Sequence, residues 1–477
     1  MRWCRVTPLD VLSGPAGSPR PHQASFRDPA GFVFTKNGEL FRQVNPVGRA
    51  DYDALMDSRL YEELVQAGDL VRHEEASPSI SPDGRASAVL RPERVSFVSY
   101  PYEWSFSQLK DAALLTLRLQ KAARARGLSL KDATAYNVAF DRGRPVWIDT
   151  LSFERLTPGK PWVAYRQFCQ FFLAPLAVMS YVDIRLLQLL RSQLDGMPLE
   201  LASRLLPART RLRPGILTHV HLQAAAERRV AGGAPRMEKR RSPTMSAAAS
   251  AGILDSLERT VRGLMWRPAK TTWGDYYEAT NYTDTAFSHK REIVSEAIDR
   301  IAPAIIWDLG ANDGTFSRLG SDRGIHTVAF DVDPVAVEKN YRRVVERREQ
   351  HLLPLLLDLT NPSARSGWAH EERESFADRG PADLVLALAL VHHLAIAHNL
   401  PLARIAEFFA RIARALVIEF VPKRDSQLQR MLATRDDIFD HYTQPDFEAA
   451  FDRWFTIENA VAVRDAERVV YVMRRRQ

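Results

Sequence analysis

In the second half of the chain, near-continuous apolar runs recur, each closed by acidic or polar residues. They are IIWDL (305–309) with Asp308, HTVAFDVDP (326–334) with Asp331 and Asp333, HLLPLLLDLT (351–360) with Asp358, ADLVLALALVHH (382–393) with His392 and His393, and RALVIEFVP (414–422) with Glu419. Runs this short and this apolar predict strands covered on both faces. Between them the period changes. PVAVEKNYRRVVER (334–347) repeats Val335, Val337, Tyr341 and Val344 at helical spacing behind a proline that a helix start tolerates. Residues 399–414 carry Leu402, Ile405, Phe408, Phe409 and Ile412 on one helical face. A further helix is predicted near PDFEAAFDRW (445–454). The last runs, FTIENAVAV and VVYVMRR, flank the polar turn RDAER as an antiparallel pair. Alternating strands and helices predict a doubly wound α/β sheet.

The first strand runs into Gly310-Ala-Asn-Asp-Gly314. Glycine takes positive φ freely and leaves no Cβ in the path of a ligand. A helix expected from about Thr315 would aim its free N–H groups at the same place. The spacing is G-x-x-x-G and not G-x-G-x-x-G, so the close pyrophosphate approach of a dinucleotide site is not encoded. Asp331, about twenty residues on, stands where such folds put a carboxylate on the ribose hydroxyls.

This succession resembles the class I S-adenosylmethionine-dependent methyltransferases over residues from about 273 to 477. The resemblance implies a Rossmann-like seven-stranded sheet, parallel but for an antiparallel terminal hairpin, and S-adenosyl-L-methionine as cofactor. It places Asp308, Gly310 and Gly314 against the methionine part, with Asn312 in the same turn, Asp331 on the ribose, and Asp358 with Leu359 at the adenine. Asn312 departs from the family's small residue, although asparagine accepts left-handed geometry better than most. Residues 273–294 are dense in aromatics. By the same resemblance Tyr276, Tyr277, Tyr282 and Lys290 are candidate lid or substrate residues, the alternative being an aromatic packing helix.

Methyl transfer is an in-line displacement, so the protein's part is mostly positioning. A hydroxyl or cationic amine acceptor must also lose a proton to a nearby base. His392 and His393, at the carboxyl edge of the fourth strand, are the candidate bases, with His393 preferred. Only one of two adjacent strand residues faces a pocket, and the alternative role is to position a loop. Glu419 is a second candidate, orienting substrate, or else a rim carboxylate paired with Lys423 or Arg424.

At 477 residues the chain exceeds one ordinary core, so two domains are expected. From 204 to 241 there are ten Lys or Arg against two Glu, with three prolines and three glycines, and the run SAAASAG follows. That composition predicts a linker over 204–250. Its charge of +8 (ten minus two) exceeds the whole-chain +7, so the remainder is about neutral. The basic balance then describes a tether, and no nucleic-acid partner is expected. The expected division is a disordered 1–25, a first domain over 26–203, the linker, and the methyltransferase-like domain over 251–477.

Cys4 and Cys169 lie too far apart for a disulfide framework or a metal site, which suits a reducing, cytoplasmic setting. Pro8, Asp10 and Pro15 interrupt any secretory signal. The most apolar segment, 168–182, is too short to span a bilayer and reads as a buried helix bent or broken at Pro175.

In the first half, SLKDATAYNVAFDRGRPVWIDTLSF (129–153) spaces Asp132 and Asn137 as D-x-x-x-x-N, then predicts two strands about the turn 141–143 and ends near Asp149. It resembles the catalytic segment of kinase-like phosphotransferases, in which such residues position the acceptor and hold metal. No glycine-rich loop or strand lysine accompanies it, and Leu130 and Lys131 replace the usual His and Arg. A degenerate kinase-like α+β domain is the expectation, the alternatives being an active phosphotransferase or a hairpin with turn-capping acids. The join of YPYEWSFSQLKDAALLTL and KDATAYNV to a methyltransferase-like domain resembles the rhizobial nodulation family typified by NoeA. That family implies a small-molecule, glycan or lipo-oligosaccharide acceptor. A non-enzymatic cofactor-binding protein is the remaining alternative, and no motif bears on oligomeric state.

Overall fold

The structure is a computed structural model that describes residues 18–231, 244–267, 283–433 and 436–476. The first half opens with β1 (Arg20–Pro21), β2 (Gly31–Lys36), β3 (Glu39–Val44), β4 (His73–Ala76) and β5 (Ala88–Pro92), an antiparallel sheet in the order β1-β2-β3-β5-β4. Helix Phe106–Ala125 follows, started by a capping box in which Ser105 and Gln108 satisfy each other's backbone N–H groups. Beyond it β6 (Leu128–Leu130) pairs with β9 (Phe153–Arg155), enclosing the hairpin of β7 (Val138–Asp141) and β8 (Arg144–Trp147).

The second half is built on β10 (Ile305–Leu309), β11 (His326–Asp331), β12 (Leu352–Leu356), β13 (Ala382–Ala387), β14 (Ala413–Phe420), β15 (Phe455–Ala462) and β16 (Val469–Arg475). Their order is β12-β11-β10-β13-β14-β16-β15. Pairing is parallel from β12 to β14, and β16 runs antiparallel between β14 and β15. The period of two explains why the strands are apolar throughout. Ile306, Leu384, Leu386, Ala415 and Val417 pack under helix Asp284–Ile301, while Trp307, Leu309, Val328, Phe330, Val385 and Leu416 face the other way. That second face belongs to the same buried cluster as Phe97, Trp104, Leu109 and Phe140. The two halves share one core.

Several expectations need correction. Residues 20–21 of the stretch expected to be disordered pair as a strand with β2, and 1–17 lie outside the described residues. Much of the expected linker is folded. Helical turns cover 208–212 and 214–231, with Thr210, Ile216, His219, Val220 and Ala224 buried. Arg209, Arg211 and Arg213 lie on the exposed side of these turns, so their charge marks a wet helix face over an apolar one. Helix Ala247–Gly263, assigned by composition partly to the linker and partly to the second domain, packs on helix Phe106–Ala125. There Lys121 meets Asp255 and Glu258 at 2.6 and 2.5 Å. The apolar segment 168–182 is a buried helix that widens into a π turn at Cys169–Leu173 and continues through Pro175. Among the described residues no helix is long and apolar enough to cross a membrane.

Candidate functional site

The strand order reverses between β10 and β13, and in open α/β sheets ligands bind outside the carboxyl ends at such a reversal. A cleft of about 350 Å³ opens there. Asp308 and Gly310 line it from the end of β10, Asp331 from β11, Leu357 to Thr360 after β12, and Leu388 to Leu390 after β13. Most of the wall is apolar, with carboxylates at a few points, the usual make-up of a small-molecule site.

The turn is shaped by its backbone. Gly310 has φ +77°, and an added Cβ would meet only Leu390, at 3.5 Å or more, so this position leaves the cleft open. Asn312 takes φ +50°, the left-handed geometry its side chain tolerates. Gly314, φ +79°, does other work. A Cβ there would lie 2.5 Å from Asn340 Nδ2 and 2.7 Å from Arg318 Nη1, so it serves packing behind the cleft and does not line it.

The expected helix from Thr315 begins at Ser317 and has five residues, and the turn's N–H groups are already engaged. Gly310 and Ala311 both donate to Phe330 O at 2.9 Å, Gly314 donates to Ala311 O at 2.9 Å, and Asn312 N–H donates to Asp331 Oδ2 at 2.8 Å. A dipole-driven grip is therefore not built here.

The carboxylates are poised instead. Asp308 is buried and accepts the Ser317 hydroxyl at 2.6 Å. Burial pushes its pKa up to about 7, with Asp331 adding to the rise. Asp331, also desolvated, is pushed up to about 6 although it accepts N–H groups from Asn312 and Asp333. For both, desolvation outweighs the hydrogen bonds that favour ionisation. Asp333 turns instead to the helix, capping Val335 N–H at 2.8 Å. Asp358 is exposed at the rim, held by Thr360 N–H at 2.8 Å and Oγ1 at 2.6 Å, with Leu359 beside it.

The histidines do not end the strand. β13 stops at Ala387, and His392 and His393 sit on the helical turn after it, with Ala389 at φ +52° between. The strand-alternation argument therefore does not apply. His393 lines the cleft, and burial, then His398 and Arg468, lower its pKa to about 4. His392 is buried behind it, the rings 4.2 Å apart, with no hydrogen-bond partner at Nδ1. Glu419 is fully buried and absent from the wall. It pairs with Lys290 Nζ at 2.7 Å and lies 3.7 Å from Arg468, while Lys423 and Arg424 pair with Asp437 and Glu467. The rim alternative is thus excluded. Lys290 does reach the wall, over the Phe316 ring at 4.9 Å. Tyr276, Tyr277 and Tyr282 lie outside the described residues.

Sequence reasoning missed Ser317, Phe316, His398 and Arg468. The last was read as part of a polar turn, yet it is buried on Asp425 at 2.8 Å.

In the first half, Asp149 meets Arg42 Nη2 at 2.7 Å. Burial raises the pKa of Asp149, and Asp28 and Asp132 push the same way. Asp132 accepts Thr134 N–H at 3.0 Å as a turn cap, and Asn137 O accepts Ile148 N–H at 2.9 Å. The strand cation that sequence did not pick out is Arg42, on β3. Among the described residues no group of three His, Cys, Asp or Glu is placed to hold a metal ion.

A parallel sheet finished by an antiparallel hairpin, with a glycine turn after β10 and carboxylates around a cleft at the order reversal, makes this half an α/β fold on a mixed seven-stranded sheet. No family model matches the chain. Nodulation protein NoeA of Rhizobium meliloti (strain 1021) is 36% identical over 467 residues, 96% of this chain and 98% of that protein. The chain belongs to the NoeA family. Among solved structures, magnesium protoporphyrin IX methyltransferase from Synechocystis PCC 6803 matches 42% of this chain and 91% of its own at 15% identity, TM-score 0.30. The N-methyltransferase NodS from Bradyrhizobium japonicum WM9 matches 41% and 98% at 12% identity, TM-score 0.30. The match to WbdD covers 39% of each chain at 14% identity, TM-score 0.28, so this chain spans about two fifths of WbdD.

Proposed function

We propose that the protein is an S-adenosyl-L-methionine-dependent methyltransferase acting on a small-molecule or glycan acceptor, and that it works in the cytoplasm. The observation that carries this reading is the cleft at the order reversal, open at Gly310 and edged by Asp308, Asp331 and Asp358. Its residues fit the cofactor: burial holds two carboxyls whose ionised forms a cationic, hydroxyl-bearing ligand would favour, and the apolar wall of Leu357, Leu359 and Phe330 suits a flat base. When bound, the cofactor supplies a methyl group on a sulfonium. Asp331 would accept the ribose hydroxyls, Asp358 and Leu359 would border the adenine, and Asp308 with Gly310 would border the amino-acid end. Lys290, held by Glu419, fixes a cation at that end.

His393 supplies the base. With its pKa near 4 it is neutral at physiological pH and can take the proton an acceptor hydroxyl gives up. The nodulation name of the relative supports a glycan or lipo-oligosaccharide acceptor and identifies no atom. A labelled-methyl screen of cell extract, wild type beside His393→Ala, tests the reading. A labelled product that falls roughly 10²- to 10⁴-fold in the variant, with cofactor affinity unchanged, is expected. No labelled product from wild type would end it.

We read the first half as a kinase-like domain without phosphotransfer. The Arg42–Asp149 pair supports this, because each charge is already answered. Phosphotransfer through Asp132, Asn137 and Asp149 would instead require magnesium-nucleotide binding that Asp149→Asn abolishes.

A further inference from the structure

Between β12 and β13 runs the connection 357–381, whose first residues, Leu357 to Thr360, form the rim of the cleft. The rest of it is held by the first half of the chain from three sides. From the segment after β5, Glu103 binds the Arg379 guanidinium through both carboxylate oxygens, at 2.5 and 2.9 Å, and both side chains are buried. Phe97 and Tyr100 flank that guanidinium with their ring centroids 4.9 and 5.0 Å away. The Tyr100 hydroxyl also accepts Glu374 N–H at 2.8 Å. From the Asp132–Asn137 segment, the Tyr136 ring lies 3.9 Å from the Arg373 guanidinium. From the β1–β2 connection, Arg27 pairs with Glu372.

The same segment touches the cleft a second way. Phe97 stands edge-on to Phe330 at 5.9 Å and to Trp307 at 5.7 Å, and Phe330 is itself a wall residue. Phe376, from the connection, closes the aromatic group against Trp307 at 4.9 Å and Phe330 at 5.3 Å. Bidentate, stacked, buried arginine is the most geometrically demanding of ion pairs, and packed aromatic groups do not deform smoothly. Position is therefore transmitted from the first half to the cleft wall.

We propose that the first half acts as a clamp that sets the rim and wall of the cofactor cleft, with Phe97, Tyr100, Glu103 and Arg379 as positioning residues. This deepens the methyltransferase reading and rests on it. Unlike an interface that merely adds stability, a clamp must show itself in affinity for the cofactor.

The test uses the full chain and titrates S-adenosyl-L-methionine by calorimetry, alongside thermal unfolding. Arg379→Ala and the milder Tyr100→Phe are expected to weaken binding by roughly two- to thirty-fold, the range for residues that act on a site without touching its ligand. Arg379→Lys, which keeps the charge but not the fork, should fall between wild type and Arg379→Ala. Lys121→Ala, which cuts a contact with Asp255 and Glu258 away from the cleft, should lower the melting temperature and leave affinity unchanged. In turnover assays the clamp variants should raise the cofactor KM and spare kcat at saturation. Should Arg379→Ala fail to fold, Tyr100→Phe and Phe97→Leu decide the matter. Folded clamp variants that bind as tightly as wild type would overturn the clamp alone, whereas a wild type that binds no S-adenosyl-L-methionine would overturn the functional reading as well.

Discussion

Cofactor binding should release protons, and the structure sets how many. Asp308 and Asp331 are held by burial near pKa 7 and 6, so both are partly protonated in the empty protein around neutrality. A ligand that brings cations and hydroxyl donors favours their ionised forms, lowers both pKa values and expels the protons. At pH 6.5, Asp308 is about three quarters and Asp331 about one quarter protonated, which sums to roughly one proton released per cofactor bound. Between pH 8 and pH 6 the same two ionisations should weaken binding by roughly twenty-fold. His393, near 4, stays neutral throughout and adds nothing.

Calorimetry at pH 6.5 in two buffers of different ionisation enthalpy counts the protons directly. Asp308→Asn should cut the count to about one quarter. In the empty protein, carboxyls whose folded pKa is raised contribute stability that is complete below their unfolded pKa, about 4, and lost as pH rises through 6 to 7. Empty protein should thus lose stability over that rise, and saturating cofactor should reverse the loss. Affinity that is flat from pH 6 to pH 8, with no buffer-dependent heat, would refute the reasoning.

Three further outcomes follow from the geometry. Gly314→Ala should destabilise the protein by about 2 kcal/mol or more in urea unfolding, since it adds left-handed strain of about 1–2 kcal/mol to a clash with Asn340; an unchanged midpoint would deny Gly314 its packing role. Lys290→Met should cost about 3–5 kcal/mol by leaving Glu419 buried beside Arg468 alone, and Lys290→Met with Glu419→Leu should recover part of it; additive losses would refute the pairing. The fragment 251–477 should fail to give a soluble monomer, because it uncovers Trp307 and Phe330, and a monodisperse fragment by light scattering would contradict the shared core.

The strands of the second half were legible because the buried parallel strands, β10 to β14, announce themselves as continuous apolar runs, and helix Pro334–Arg347 matched its predicted bounds through its proline and its period. The carboxylates at 308, 331 and 358 were legible for the same reason, since an acid that closes an apolar strand lands at the sheet's carboxyl edge. What failed was local chemistry decided by distant partners. Glycine at 314 looks like glycine at 310, and only Asn340 tells them apart. Glu419 looked like a rim acid because Lys423 and Arg424 are near in sequence, while its partners, Lys290 and Arg468, are 129 and 49 residues away (419 − 290 and 468 − 419). Counting charges took the wet side of the packed helices over 208–231 for part of a tether.

The continuous core has a consequence for how the molecule is made. Residues up to about 250 leave the ribosome well before the sheet that will cover Phe97, Tyr100 and Phe140 exists. At ordinary synthesis speeds of about 5–20 residues per second, the remaining stretch takes roughly ten to fifty seconds. Throughout that interval an aromatic patch stands bare on a half-made protein, so recombinant yield should depend on holdase chaperones and slow growth temperature more than on the stability of the finished fold.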